Sequence, residues 1–291
     1  MAPSDRDVLP PEGGTHTPIL QTHLPHAPWM QPHTRRLPGM QPVAPGEWLG
    51  VDDAYAAQMA ERRRLLVTMP ARVLACPVET GADRDAQAAA LALRDCVLAE
   101  LPALGFDVHG SRVTCPDGRM VTNDLTAPLR TLGQLVQEDF CIMQRPEGGA
   151  EYLLTGAILC FPSRWTLAEK LGRTLLAIHA PVPEYDATLA SRVQRLFDGV
   201  RREHPLWRAN TLAYGEPRLF NPLREADDHR LPQDAPPYVR SERQTLLRLP
   251  VGDTVIFSIH TYLVAIASLS VSQADGLNAW LAGRNGPIPV R

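Results

Sequence analysis

The run Leu159-Cys160-Phe161 ends at Pro162, and the chain then reads Ser163-Arg164-Trp165-Thr166-Leu167-Ala168-Glu169-Lys170-Leu171-Gly172 and on to Ile178-His179-Ala180-Pro181-Val182-Pro183. Proline fixes its own φ and has no N–H to donate, so the prolines at either end bound whatever forms between them. Leu167, Leu171, Leu175 and Ile178 fall at i, i+4, i+8 and i+11, which predicts one helix with Ser163 as N-cap and Pro181 as its stop. Glu169, Lys170 and Arg173 take the outer face. A buried strand must therefore turn into a short amphipathic helix that ends on a histidine.

The strands around this junction read as antiparallel. Tyr152 to Phe161 is almost continuously apolar and predicts a strand buried on both faces. Pro146-Glu147-Gly148-Gly149 turns it back on Phe140 to Gln144 as a hairpin. Three more strands are expected at Trp207 to Tyr214, Tyr238 to Leu249 and Thr254 to Leu263, the last two joined by a turn at Pro250-Val251-Gly252-Asp253. Helices are expected at Asp52 to Leu66, Asp83 to Leu101, Tyr185 to Arg201 and Ser272 to Leu281, with one or two turns from Thr131. Arg62, Arg63 and Arg64 read as a solvated helix end. Cys115 to Arg119 reads as a hairpin turn. Helices, two strands, two helices and three strands predict an α+β fold with an antiparallel sheet of about five strands, not the alternation of a doubly wound sheet.

Residues 1–46 are dense in proline and histidine and are expected to form an extended arm, with Trp29, Leu37 and Met40 as contacts to a single domain over 47–291. His16, His23, His26 and His33 lack acidic or thiolate companions for a metal site. The five cysteines show no C-x-x-C spacing, which suits a reducing cytoplasm. A net charge of −3 makes no case for nucleic acid. Val255 to Leu269 is interrupted by Ser258, His260, Thr261 and Ser268 and is too short for a bilayer, so a soluble protein is expected. No G-x-G-x-x-G, P-loop, H-E-x-x-H or G-x-S-x-G sequence is present.

Two places carry chemistry. His179 is either a capping or core residue or a metal ligand, and a helix end among Leu and Ile side chains suits heme. In Tyr238 to Pro250, strand alternation sends Glu242 and Arg243 to opposite faces, so both can enter one pocket only through a bulge. A polar solvent face explains the same residues. Arg208 and Asn210 share a strand face and line a pocket or meet water.

Together, Val136-Gln137-Glu138-Asp139-Phe140-Cys141, Leu159 to Trp165, Glu169-Lys170-Leu171-Gly172, Ile178 to Pro183 and Glu242-Arg243-Gln244-Thr245-Leu246 resemble the α-subunit family of heme-dependent oxidative N-demethylase. The resemblance runs from about Leu37 to the last helix. It implies a PAS-like heme domain that activates O₂ to demethylate a small secondary amine such as dimethylamine, releasing formaldehyde. Electrons would come from NADPH through a separate reductase subunit with FMN and a 2Fe–2S cluster. His179 becomes the expected metal ligand, with Arg164 and Trp165 beside the cofactor and Arg243, Glu242 and Arg208 on the reactive side. Thr211 and His260 depart from the family pattern, and His260 is a rival ligand. The alternative is a heme PAS module that senses gas or redox state without turnover.

Overall fold

A computed structural model describes residues 17–31, 39–75, 84–180, 187–227 and 237–282. In chain order the elements are β1 (Gln41–Pro42), α1 (Tyr55–Thr68), α2 (Pro70–Val73), β2 (Leu74–Ala75), α3 (Arg84–Glu100), β3 (Asp107–His109), β4 (Arg112–Thr114), β5 (Met120–Thr122), α4 (Pro128–Leu135), β6 (Asp139–Gln144) and β7 (Leu153–Ile158). Then follow α5 (Leu167–Lys170), α6 (Leu175–His179), α7 (Ala187–Gly199), β8 (Leu206–Ala209), β9 (Leu212–Tyr214), β10 (Tyr238–Arg248), β11 (Thr254–Ala265) and α8 (Val271–Ala282).

The fold is α+β around an antiparallel sheet, but that sheet has eight strands where about five were expected. Its order is β1-β8-β10-β11-β6-β7-β2, with β9 also paired to β10. The additional strands are short: two-residue β1 and β2 extend the two edges, and the strand expected from Trp207 to Tyr214 is split in two. Asn210 makes the split. Its backbone N–H reaches Glu242 O at 3.1 Å and its side-chain oxygen accepts from Glu242 N at 2.8 Å, so side chain and backbone together replace a regular ladder. The turn at Cys115 to Arg119 joins β4 to β5 in a separate three-stranded sheet with β3.

Register divides the large sheet into two faces. Leu246 of β10 stands opposite Phe257 of β11, and Phe257 opposite Cys141 of β6. This face packs on α5, α6 and α7 through Leu167, Leu175, Phe197 and Val200. The other face, with Phe140, Ile142, Ile158 and Ile256, packs on α1, α3 and α4 through Met59, Leu65, Leu93 and Leu132. Two layers of helices thus bury both faces, which is why β6 and β7 tolerate apolar residues in sequence.

Arg62 corrects the reading of the arginine run as solvated. It is fully buried, and donates to Gly133 O, Gln137 O, Glu138 O and Asp139 Oδ1, the last at 2.6 Å. Asp139 also accepts the backbone N–H groups of Cys160 and Phe161. A buried guanidinium is tolerable only when paired and hydrogen-bonded. Arg62 and Asp139 therefore lock α1 to the β6 and β7 ends, while Arg63 and Arg64 remain exposed.

The described part of the arm lies on the domain. Gln21 N donates to Leu263 O and its side-chain oxygen accepts from Leu263 N, covering β11 where β6 no longer pairs with it. Trp29, Leu24 and Ala27 pack with Val239, Val264 and Leu277. Met40 reaches the helix-facing apolar cluster, and the His26 ring meets that of Trp207 at a tilt, with centroids 4.7 Å apart. Leu37, His16 and His33 lie outside the described residues. No helix among the described residues is long and apolar enough to cross a membrane.

Candidate functional site

The helix expected from Ser163 to His179 is two helices. Gly172 adopts φ +74°, a left-handed value that ends α5, and the chain restarts at Thr174. Leu171, expected on the apolar face, is turned out to solvent by this break. Thr174 caps α6 by accepting the Ala177 N–H at 3.2 Å. Leu175 and Ile178 still reach the same apolar cluster as Leu167, so the apolar spacing survives an interruption it does not reveal.

His179 is the last residue of α6 and is half-buried. Its Nδ1 lies 2.8 Å from Leu175 O. A carbonyl only accepts, so Nδ1 carries the proton in this contact. Metal-binding histidines are commonly held in this way, with the non-ligating nitrogen bound to backbone. Trp165 joins the apolar cluster under α6, with Ile178, Leu206 and Phe257 also partly buried there. Arg164 adopts φ 63°, and its backbone N–H donates to Asn221 O at 2.7 Å. It thus turns the chain between β7 and α5.

Across from α6 the sheet changes from apolar to polar along one row. Leu246, Gln244, Glu242 and Arg240 alternate onto this face, and Arg208 stands opposite Gln244. Glu242 Oε1 accepts from Arg240 Nε at 3.1 Å, while Oε2 accepts from Asn210 Nδ2 at 3.0 Å and Gln244 Nε2 at 3.1 Å. Arg240 is itself fully buried and donates to Leu219 O at 2.9 Å and to Phe161 O. The carboxylate is therefore charge-balanced and held by three donors.

Arg243 projects from the other face. Its Nη1 donates to Trp48 O at 2.9 Å and its guanidinium lies 4.8 Å over the Trp207 ring. Burial lowers its pKa from the ordinary arginine value. Of the residues expected around a cofactor, the fold brings Glu242 and Arg208 to the face on which α6 packs; it does not bring Arg243 there.

His260 is engaged elsewhere. Its Nδ1 lies 2.9 Å from Glu138 Oε1 and its Nε2 3.1 Å from Asp52 Oδ2. Burial alone would lower its pKa, but Tyr262, Glu138 and Asp52 raise it well above the ordinary histidine value. Both ring nitrogens are donors to carboxylates, so neither is left for a metal. Among the described residues no group of three or more His, Cys, Asp and Glu is arranged to hold a metal ion.

Two more residues lie next to His179: Lys170, expected on the outer face of its helix, is instead buried, and Glu225 was not singled out in the sequence. Lys170 is the only lysine in the chain, which was its one visible signal. Its Nζ donates to Ile178 O at 2.8 Å and to Glu225 Oε1 at 2.7 Å. Glu225 had no signal, because its link to α5 is made only in three dimensions. Residues 39–282 match the family model described as Haem-dependent oxidative N-demethylase, alpha subunit-like.

Proposed function

The chain belongs to that family, and from this membership we propose that it binds heme through His179 and oxidatively demethylates a small secondary amine such as dimethylamine, releasing formaldehyde. A separate reductase subunit with FMN and a 2Fe–2S cluster would deliver electrons from NADPH, in keeping with the words alpha subunit in the family description. The central strands β7, β6, β11, β10 and β8 are our candidate for a PAS-like frame.

The single observation that carries the reading is the backbone anchor of His179. Nδ1 is bound to Leu175 O at the end of a helix that packs on a mixed apolar and polar sheet face. The donor set fits heme iron: one imidazole on a helix, with Trp165, Ile178, Leu206 and Phe257 as an apolar lining. Heme, when bound, supplies the activation of O₂ and the oxidising chemistry.

The chain's own residues bind, orient and exclude water. The apolar lining lowers the local dielectric, which strengthens each polar contact nearby. Glu242 is the carboxylate on this face, and we assign it to receive the N–H of a protonated amine at Oε2, displacing Asn210 or Gln244. Arg208 supplies the cationic donor of the same face. Arg243 serves from behind, holding β10 to Trp48 and Trp207.

One observation favours the second reading, a heme module that senses gas or redox state: Glu242 is already balanced by Arg240 and so offers an ammonium little net charge. Visible spectroscopy of heme-loaded protein, wild type against His179→Ala, tests the ligand. Amine-dependent, reductant-driven formaldehyde release separates enzyme from sensor. Absence of a Soret band after heme loading would overturn both.

A further inference from the structure

We infer that Lys170 is a positioning residue for His179, acting through the Ile178 carbonyl and the Glu225 carboxylate. The inference rests on the reading of His179 as heme ligand.

A five-residue helix cannot hold its own place. Nucleation is unfavourable, and a segment this short closes almost no internal hydrogen bonds; here the Ile178 N–H to Thr174 O contact, at 2.9 Å, closes its first turn. Its position must come from outside. At its start the chain is stitched to the sheet: Gly172 N donates to Leu154 O, Leu154 N to Arg173 O and Leu175 N to Tyr152 O. Among the described residues no strand pairs with its end. There the Lys170 ammonium meets the carbonyl of the residue directly before His179.

The lysine side chain is 7% exposed, so its charge needs a partner, and Glu225 is that partner. Glu225 also accepts from Arg173 Nη1 at 2.8 Å, and hydrogen bonding to Lys170 lowers its pKa from the ordinary carboxylate value. Its backbone N–H lies 3.2 Å from both Glu169 oxygens, and Glu169 Oε2 accepts from Thr166 Oγ1. One compact ammonium thereby joins α5, the C-terminus of α6 and the segment after β9. A cation at a helix C-terminus is also where the helix dipole favours it. Any loosening of this clamp reaches His179 first, because His179 is the residue that follows the held carbonyl.

The test uses full-length heme-loaded wild type, His179→Ala, Lys170→Met, Lys170→Arg and Glu225→Gln. Two readouts are taken: the ferric electron paramagnetic resonance signature of an imidazole ligand, and the rate of heme transfer to excess apomyoglobin. We expect Lys170→Met to alter the signature and speed heme loss about tenfold, the scale of one charge-assisted hydrogen bond. Lys170→Arg should recover part of that loss, and Glu225→Gln should move both readouts the same way by less. A wild-type signature and a transfer rate within about twofold of wild type in Lys170→Met or Glu225→Gln, with His179→Ala altering both, would overturn the clamp alone. If Lys170→Met does not fold, Glu225→Gln decides, since Glu225 sits at the surface. An unchanged His179→Ala protein would overturn the ligand reading and this inference with it.

Discussion

Glu242 and Arg243 are adjacent in the chain and project from opposite faces of one strand: Glu242 accepts from Arg240 and Asn210 on the face that packs on α6, and Arg243 lies over Trp207 behind it. Their substitutions should separate accordingly. Glu242→Gln leaves the buried Arg240 without its counter-charge, so a stability loss of about 3–5 kcal/mol by urea unfolding is expected, together with a raised KM for the amine. Arg243→Met should cost about 1–3 kcal/mol and leave the heme spectrum of the folded protein unchanged. A Glu242→Gln protein with wild-type stability and KM would remove this residue from the site.

His260 predicts how stability follows pH. Its folded pKa lies well above its unfolded value, so its contribution is fully present below about pH 6.5 and is lost as pH rises through the raised folded pKa. Asp52 behaves in the opposite sense. Despite burial, its hydrogen bond and charge interaction with His260 bring it to about 2, so its contribution is present above the ordinary value of 3.8 and lost as pH falls through about 2. Urea midpoints should therefore be highest between these limits. His260→Gln should flatten the alkaline fall; an unaltered alkaline limb would show that another group controls it.

Gly172→Ala isolates the backbone at the α5–α6 break. A Cβ there meets nothing within 4 Å, so the cost is that of holding a non-glycine residue at φ +74°. A loss of about 1 kcal/mol is expected in thermal unfolding. A gain in stability would mean that the break is not required.

Gly133→Ala should also destabilise, for the reverse reason. In the interior of α4, alanine is favoured over glycine by about 1 kcal/mol. Here its Cβ would lie 2.9 Å from Ile158 Cγ1 and 3.2 Å from Leu66 Cδ1, where α4 packs on β7 and α1. Overpacking of this kind costs about 1–3 kcal/mol, so a net loss is expected. Chemical denaturation checks it, and relief by Ile158→Val would identify the contact.

Much of the architecture was legible because periodicity reports which way side chains point. Strand alternation sent Glu242 and Arg243 apart, the apolar run at Tyr152 to Phe161 belongs to a buried strand, and Pro146 to Gly149 and Pro250 to Asp253 turn their hairpins. Periodicity does not report interruptions. The leucine spacing through Leu167 and Leu175 is satisfied equally by one helix or by two that pack on the same cluster, so the break at Gly172 was invisible. Likewise a side chain that bonds across strands, as Asn210 does, gives no pattern that splits β8 from β9.

The sequence by itself determined the α+β order, the two-faced character of β10, family membership and the helix end that carries His179. Only the tertiary structure decided who meets whom. Lys170 pairs with Glu225 across 55 residues, Glu138 with His260 across 122 and Asp52 with His260 across 208. Local pattern sets the direction in which a side chain leaves the backbone, whereas the identity and charge of what waits there depend on chain closure over distances that no local period spans. The same arginine run could be solvated or buried until Asp139 was brought beside Arg62. His260 became a charged pivot between two carboxylates, and His179 an imidazole held by backbone at a helix end.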